Sequence, residues 1–280
     1  MEFIHWTADR PELDSPIMIL AFEGWNDAGD AASTAARHIR DRFGGEVFAE
    51  IDHEQFYDFT STRPHVRLDG PNRRIDWPEN TFAAVRTGEG GKDMIVLVGT
   101  EPQLKWRTYS EQIVAMAEEY DVEMVISLGA LIADVVHSRP ATVYSAAYDL
   151  ELIEQLDLEP SSYEGPTGIV GVVHDALRSA GLGSISLWGT VPSYVPHATS
   201  PKAALALVNR VAQLLDLAIP STALEIGAAA YERQINDLVA EDDETTAYVT
   251  QLEDEYDKSM RPESGAALIE ELEQFLRDRE

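Results

Sequence analysis

The chain has 280 residues and a mass of 31.0 kDa, enough for one large domain or two smaller ones, and its 44% of hydrophobic residues is typical of a globular protein with a substantial core. Its 50 acidic and 21 basic residues give a net charge of −29, which argues against binding to nucleic acid or to an anionic membrane surface. We expect a cytoplasmic protein, because the sequence shows no apolar run of about eighteen residues, no secretory signal and no cysteine.

Apolar runs and helical segments alternate between residues 16 and 220. The runs are mostly not interrupted by polar residues, which is typical of strands buried on both faces. The predicted strands are 17–22, 46–51, 93–99, 122–129, 141–147 and 184–189. The predicted helices are 30–43, 108–120, 167–183 and 201–217. This order predicts an α/β fold, a mostly parallel sheet flanked by helices.

Three local signals refine this prediction. Residues 61–78 form two stretches of mixed polarity around Asp69-Gly70, which predicts a β-hairpin. Thr108 and Glu111 have the spacing of a capping box at the start of the second helix. Gly181 is placed to end the third helix.

The end of the chain differs from the rest. Residues 231–280 carry 16 acidic and 5 basic residues. Two narrow apolar stripes recur there at helical spacing. They consist of Tyr248, Val249, Leu252 and Tyr256, and of Leu268, Ile269, Leu272, Phe275 and Leu276. We therefore predict an α/β domain over 1–220 and an acidic helical appendage over 221–280, whose stripes pack on the main domain or on another subunit.

The stretch "FEGWNDAGDAAS" (22–33) lies between the first strand and the first helix, where parallel sheets bind ligands. The spacing of Gly24 and Gly29 does not fit a dinucleotide-binding loop. Asp27 and Asp30 would themselves satisfy the free amides of the helix and would repel a phosphate. The favoured interpretation is that Asp27 caps the helix, and a ligand role is the alternative.

The loops that follow parallel strands gather at one edge of a sheet, so we expect their polar and aromatic side chains to meet there. A cleft for a ligand and an interlock between loops are both open interpretations. The candidate residues are Glu23, Trp25, Asn26, Asp27, Glu101, Lys105, Trp106, Arg107, His137, Ser138, Arg139, Tyr194 and His197.

An anion would find free amides at the start of the third helix, at Thr167 and Gly168. His174, inside that helix, is interpreted as a structural histidine. No metal-ligand spacing and no nucleophile–base pair is present, so we predict no cofactor and no metal.

Five stretches of the sequence resemble, in the same order, those of a known protein family. They are "FEGWNDAGDAAS" (22–33), "GTEPQLKWRTYS" (99–110), "LGALIADVVHSRP" (128–140), residues 163–211 and "YVTQLEDEYD" (248–257). Together they resemble the PAC2 family of proteasome assembly chaperone-like proteins. The resemblance implies a core similar to purine nucleoside phosphorylases, a helical C-terminal appendage, self-assembly into rings and chaperone rather than enzyme activity. Some members dock on proteasomes through a penultimate tyrosine, and Arg279 stands at that position here, which argues against docking by the tail.

We therefore expect an oligomeric, non-enzymatic protein-binding factor. The resemblance implies a homotrimer and a proteasome-like assembly as partner. The acidic composition argues against nucleic acid and membrane as partners. The alternatives are a hydrolase or phosphorylase that acts on a nucleoside-like metabolite in the cleft, and a purely structural oligomer.

Overall fold

The computed structural model describes residues 1–88, 91–147, 149–156, 158–160 and 163–259. Its strands are β1 (Ile4–Trp6), β2 (Ile17–Glu23), β3 (Glu46–Ile51), β4 (His65–Asp69), β5 (Asn72–Asp76), β6 (Asn80–Val85), β7 (Met94–Thr100), β8 (Met124–Ala133), β9 (Val143–Ala147), β10 (Glu159–Pro160) and β11 (Ser184–Pro192). Its helices are α1 (Ala31–Arg42), α2 (Trp106–Glu119), α3 (Leu150–Leu156), α4 (Ile169–Ser179), α5 (Pro201–Leu214), α6 (Thr222–Val239) and α7 (Asp243–Ser259).

One large sheet runs through the molecule in the strand order β1-β3-β6-β7-β2-β8-β11-β9-β10. The four adjacent strands β7, β2, β8 and β11 are parallel, whereas β1, β3, β6 and β9 join by antiparallel pairing. The predicted α/β class is confirmed. The sheet is more mixed than its apolar runs indicated, because short connections such as 86–93 between β6 and β7 leave no room for a helical crossover.

The two faces of the sheet explain why its central strands are apolar throughout. In β2, Ile17, Ile19 and Ala21 point into a core covered by α1 and α5. Met18, Leu20 and Phe22 point into the opposite core, which is covered by α2 and α4. Successive side chains of a strand alternate between faces, so both sets must be apolar when both faces are covered.

The C-terminal helices pack on the same chain. Tyr231, Ile235 and Val239 of α6 and Val249 and Leu252 of α7 form a small third core. Its partners in the main body are Val136 and Val195. The first predicted stripe therefore has an intramolecular partner. The second stripe, from Leu268 to Leu276, lies outside the described residues, and the division at residue 220 stays a prediction.

Three of the local predictions have clear outcomes. The hairpin is confirmed as β4 paired antiparallel with β5. Gly181 follows α4 with a φ of +76°, as expected of a glycine that ends a helix. The capping box is wrong, because α2 already begins at Trp106 and Thr108 lies inside its first turn. None of the helices that the structure describes is both long and apolar enough to cross a bilayer.

Candidate functional site

The turn after β2 is built around one buried carboxylate. An oxygen of Asp27 accepts hydrogen bonds from the amides of Ala32 at 2.6 Å and Ser33 at 3.3 Å, in the first turn of α1. Burial raises the pKa of Asp27, and the hydrogen bonds from α1 oppose that rise. The predicted helix cap is confirmed for Asp27. It is wrong for Asp30, whose side chain makes no capping bond although this residue immediately precedes α1.

A glycine is required in this turn. Gly29 has a φ of +59°, in the left-handed region that favours glycine. A Cβ there would lie 3.0 Å from the carbonyl oxygen of Ala198 and 3.0 Å from the Cβ of Ser200. The amide of Ser200 donates to the Gly29 carbonyl at 2.7 Å, so the turn packs directly against the start of α5.

A second carboxylate caps a second helix. Glu101 follows β7, and its Oε1 accepts from the amide of Ile169 at 2.8 Å, at the start of α4. The same oxygen accepts from Nδ2 of Asn26 at 2.9 Å. A Cβ on Gly168 would lie 2.6 Å from the Asn26 amide group and 2.8 Å from Glu101 Oε1. Because a carboxylate of the chain already binds this helix start, the site disfavours the anion that Thr167 and Gly168 led us to expect.

The other residues near β2 and β7 hold loops together. The indole of Trp106 donates to the carbonyl of Pro102 at 2.6 Å. The side chain of Glu23 pairs with Arg37. Lys105 Nζ donates to Gln55 Oε1 at 2.7 Å, and Arg107 is exposed. The contacts of Glu23 and Lys105 favour the interlock interpretation for this part of the predicted site.

The loop after β8 binds the C-terminal helices. Nδ1 of His137 lies 2.6 Å from the hydroxyl of Tyr194, and its Nε2 lies 3.1 Å from Oδ1 of Asn236 in α6. Burial lowers the pKa of His137, which keeps the ring neutral. Arg139 binds both carboxylate oxygens of Asp257 in α7, at 2.9 and 2.8 Å. These residues attach α6 and α7 to the sheet.

Ser138 and the neighbouring lysine strengthen the same attachment. The hydroxyl of Ser138 donates to Glu253 of α7. Lys202 of α5 donates to the carbonyl of His137 and pairs with Glu232 of α6, the latter at 2.7 Å. The side chains of His137, Ser138 and Arg139 thus each have a partner in the chain.

A broad groove of about 2020 Å³ lies beside these loops, between the turn 24–30, β8, β9, α4 and α5. Its rim carries exposed apolar side chains, among them Trp25 with 65% of its surface exposed, Ile132, Tyr144 and Tyr163. Six of the predicted residues lie on this groove: Trp25, Asn26, Asp27, Thr167, Gly168 and His197. The other nine lie outside its lining: Glu23, Glu101, Lys105, Trp106, Arg107, His137, Ser138, Arg139 and Tyr194.

The groove also contains a histidine that the sequence indicated to be structural. Nε2 of His174 lies 2.7 Å from the hydroxyl of Ser127, and its Nδ1 lies 2.7 Å from that of Ser184. Burial lowers the pKa of His174 to about 4. Tyr144 and Tyr163 were missed by sequence reasoning, since nothing but their aromatic character marks them. Within the described ranges, no group of three or more His, Asp or Glu residues could hold a metal ion.

Comparisons with known proteins place these features in a family. Residues 21–239 match the model of the PAC2 family. A PAC2 family protein from Streptomyces avermitilis is 45% identical, with 84% of this chain and 99% of that chain covered and a TM-score of 0.79. A proteasome-assembly chaperone homologue from Mycobacterium tuberculosis is 39% identical, with coverage of 83% and 99% and a TM-score of 0.76.

A more distant structure shares the fold. An archaeal proteasome activator from Pyrococcus furiosus is 21% identical, with 85% of this chain and 99% of that chain covered and a TM-score of 0.68. The comparison with curated proteins gave no significant match. The family model covers most of the sheet together with α1 to α6, including both carboxylate caps and the loop after β8. The chain belongs to the PAC2 family.

Proposed function

We propose that this chain is a non-enzymatic, homo-oligomeric protein-binding factor of the cytoplasm that assists a proteasome-related assembly. Membership in the PAC2 family supports this role. So does its similarity to a proteasome-assembly chaperone homologue, and the shared fold with a proteasome activator is consistent with it. The homotrimer expected from the family resemblance is part of the proposal.

The rim of the groove is the observation that carries the proposal. Trp25, Ile132, Tyr144 and Tyr163 all expose apolar surface around one concave region. Aromatic side chains are enriched at protein interfaces, and a contiguous exposed apolar patch marks a binding surface. The carboxylates of Asp27 and Glu101 next to it cap helices, which favours a structural task over a role in acid–base chemistry.

Charge supports a protein partner as well. Residues 222–259, which span α6, α7 and the turn between them, include 11 acidic and 2 basic residues, which favours association with a basic protein surface. We expect the association rate to fall as salt rises from low to physiological strength, because screening shortens the range of attraction. An association rate independent of salt would contradict this steering.

Binding to purified proteasome subunits tests the proposed role. The full-length chain and its Trp25→Ala and Tyr163→Ala variants would be titrated with separate α and β subunits of the same organism's proteasome in sedimentation-velocity runs. We expect a complex with the unchanged chain and at least a ~10-fold weaker one with the variants, as for aromatic anchors of an interface. Leu104→Ala, an exposed apolar position off the groove, is the matched control. Failure to bind either subunit would refute the proteasome-related role.

A small-metabolite enzyme is the second candidate, and one observation favours it. Oδ1 of Asn26 is buried on the groove without a hydrogen-bond partner within the described chain. A bound donor would satisfy it. A thermal-shift screen with nucleosides and inorganic phosphate discriminates the two candidates, because a ligand that binds the native state raises the unfolding midpoint. Turnover that Asn26→Ala abolishes would establish the enzyme.

A further inference from the structure

The hairpin β4–β5 stands apart from the large sheet. Its strands pair only with each other among the described strands. The base of the hairpin is anchored, because Trp77 packs on the rings of His53 at 5.2 Å and Phe59 at 4.8 Å between centroids. These ring contacts hold the base of the hairpin even though every residue of β4 is exposed.

One face of the hairpin is apolar and uncovered. Val66 lies opposite Ile75, and Leu68 lies opposite Arg73, so these four side chains share a face. Leu68 exposes 75% of its surface, Val66 61% and Ile75 50%. A two-stranded ribbon is marginally stable by itself in water. A protein surface that covers this face would stabilise it.

The hairpin is also basic in an acidic protein. Residues 61–78 contain four arginines and two aspartates, in a chain whose net charge is −29. Arg67 and Arg74 both pair with Asp76 inside the hairpin. Arg73, on the apolar face, has no ion pair within the described chain. The face thus combines aliphatic side chains with a free cationic group.

The C-terminal helices offer the complementary surface. Leu238, near the end of α6, exposes 51% of its surface. Asp237 directly precedes it and Glu241 follows it by three residues; both are exposed, and neither forms an ion pair with a described residue. This surface has an aliphatic centre flanked by free carboxylates. It complements the hairpin face, where Val66, Leu68 and Ile75 are aliphatic and Arg73 is cationic.

We propose that the apolar face of the β4–β5 hairpin docks on the acidic end of α6 in a second copy of this chain. The contact joins two different surfaces, so it is heterologous. Repeating it builds a closed ring if the rotation between neighbouring copies adds up to a full turn, and an open chain if it does not. The inference deepens the proposed function, since it rests on the homo-oligomer and names the surfaces that build it.

Disulfide trapping between chains is the first test. The chain has no cysteine, so single-cysteine proteins react only at the introduced position. Leu68→Cys protein carrying a size tag would be mixed with untagged Leu238→Cys protein and oxidised mildly. We expect a mixed covalent dimer on a non-reducing gel that disappears on reduction. Leu68→Cys mixed with Leu104→Cys, another exposed position, is the control and should give no such product.

Charge reversal is the second test and does not depend on trapping geometry. Arg73→Glu should shift the full chain towards monomer in light scattering at micromolar concentration. Asp237→Arg combined with Arg73→Glu should restore assembly. Arg42→Glu on α1 changes the charge equally and should leave assembly unchanged. Circular dichroism checks that each variant is folded, which we expect because these side chains are exposed.

The outcomes separate the two proposals. A wild-type chain that is monomeric at these concentrations overturns both the homo-oligomer and the docking contact. A wild-type oligomer that Arg73→Glu and Val66→Ser/Leu68→Ser leave intact overturns the docking contact alone. Loss of assembly without rescue by Asp237→Arg, together with no mixed dimer, overturns α6 as the surface that the hairpin meets.

Discussion

Replacing Asp27 by alanine removes the cap that holds the start of α1. The carboxylate accepts from the amides of Ala32 and Ser33, both of which are fully buried. A lost cap costs about 0.5–2 kcal/mol, and a buried amide left without a partner costs about 1–3 kcal/mol. Removing the buried charge offsets part of this cost. We therefore expect Asp27→Ala to lower the free energy of unfolding by about 2 kcal/mol, at the upper end of cap effects.

Thermal and urea denaturation of the two proteins would measure this difference. A loss of about 2 kcal/mol corresponds to a fall of roughly 4–8 °C in Tm for a chain of this size. Asp30→Asn is the matched control, since Asp30 makes no capping bond and asparagine tolerates its left-handed backbone. Equal stability of Asp27→Ala and the wild type would refute the capping role of Asp27.

The pH dependence of the same site has a defined sign. Burial raises the pKa of Asp27 above its unfolded value, so the native state binds this proton more tightly than the unfolded state. The ionised carboxylate therefore carries a penalty at neutral pH that is relieved as pH falls through the raised pKa. Relative to an Asp27→Asn variant, the wild type should gain stability over that interval, and a relative loss of stability would contradict the assigned direction.

Three other changes have expected outcomes. Burial lowers the pKa of His174 to about 4 in the folded chain, so acidification from pH 6.5 to 4 should lower the free energy of unfolding by up to about 3 kcal/mol through this residue. His174→Gln should abolish that part of the pH dependence, as measured by urea denaturation. Gly168→Ala should lower the free energy of unfolding by about 1–3 kcal/mol in the same assay, because its methyl group would displace Glu101 from the start of α4; unchanged stability would contradict this close packing. Arg139→Ala should speed amide hydrogen exchange across α7 and leave α1 unaffected, because the bidentate bond to Asp257 attaches α7; equal exchange in both proteins would contradict that attachment.

The sequence predicted the central elements because their signals are local. The parallel strands are uninterrupted apolar runs, and the capping role of Asp27 follows from an acid beside a helix start. It missed β6 and the antiparallel edges, since pairing partners distant in the chain leave no local trace. The capping box failed because α2 begins two residues before Thr108, at Trp106, directly after Lys105 with its left-handed backbone.

The sequence predicted which residues lie near the candidate site but not how they are arranged there. The residues expected to meet do lie near one edge of the sheet, yet they divide among the groove, the contacts near β2 and β7, and the attachment of α6 and α7. Glu101 illustrates the reason: its partner Ile169 is 68 positions away, and only the folded chain shows that the carboxylate caps α4. Tyr144 and Tyr163 are exposed aromatic residues whose common position on the groove follows from the path of β9 and the loop before α4.

Sedimentation velocity of the full chain with purified proteasome α and β subunits tests the central claim most directly. The claim is that this PAC2 family member acts by binding protein through the exposed rim of its groove. We predict a complex that sediments faster than either component and that Trp25→Ala weakens while Leu104→Ala does not. Separate sedimentation of all components, together with turnover of a nucleoside-like metabolite by the same preparation, would contradict the claim.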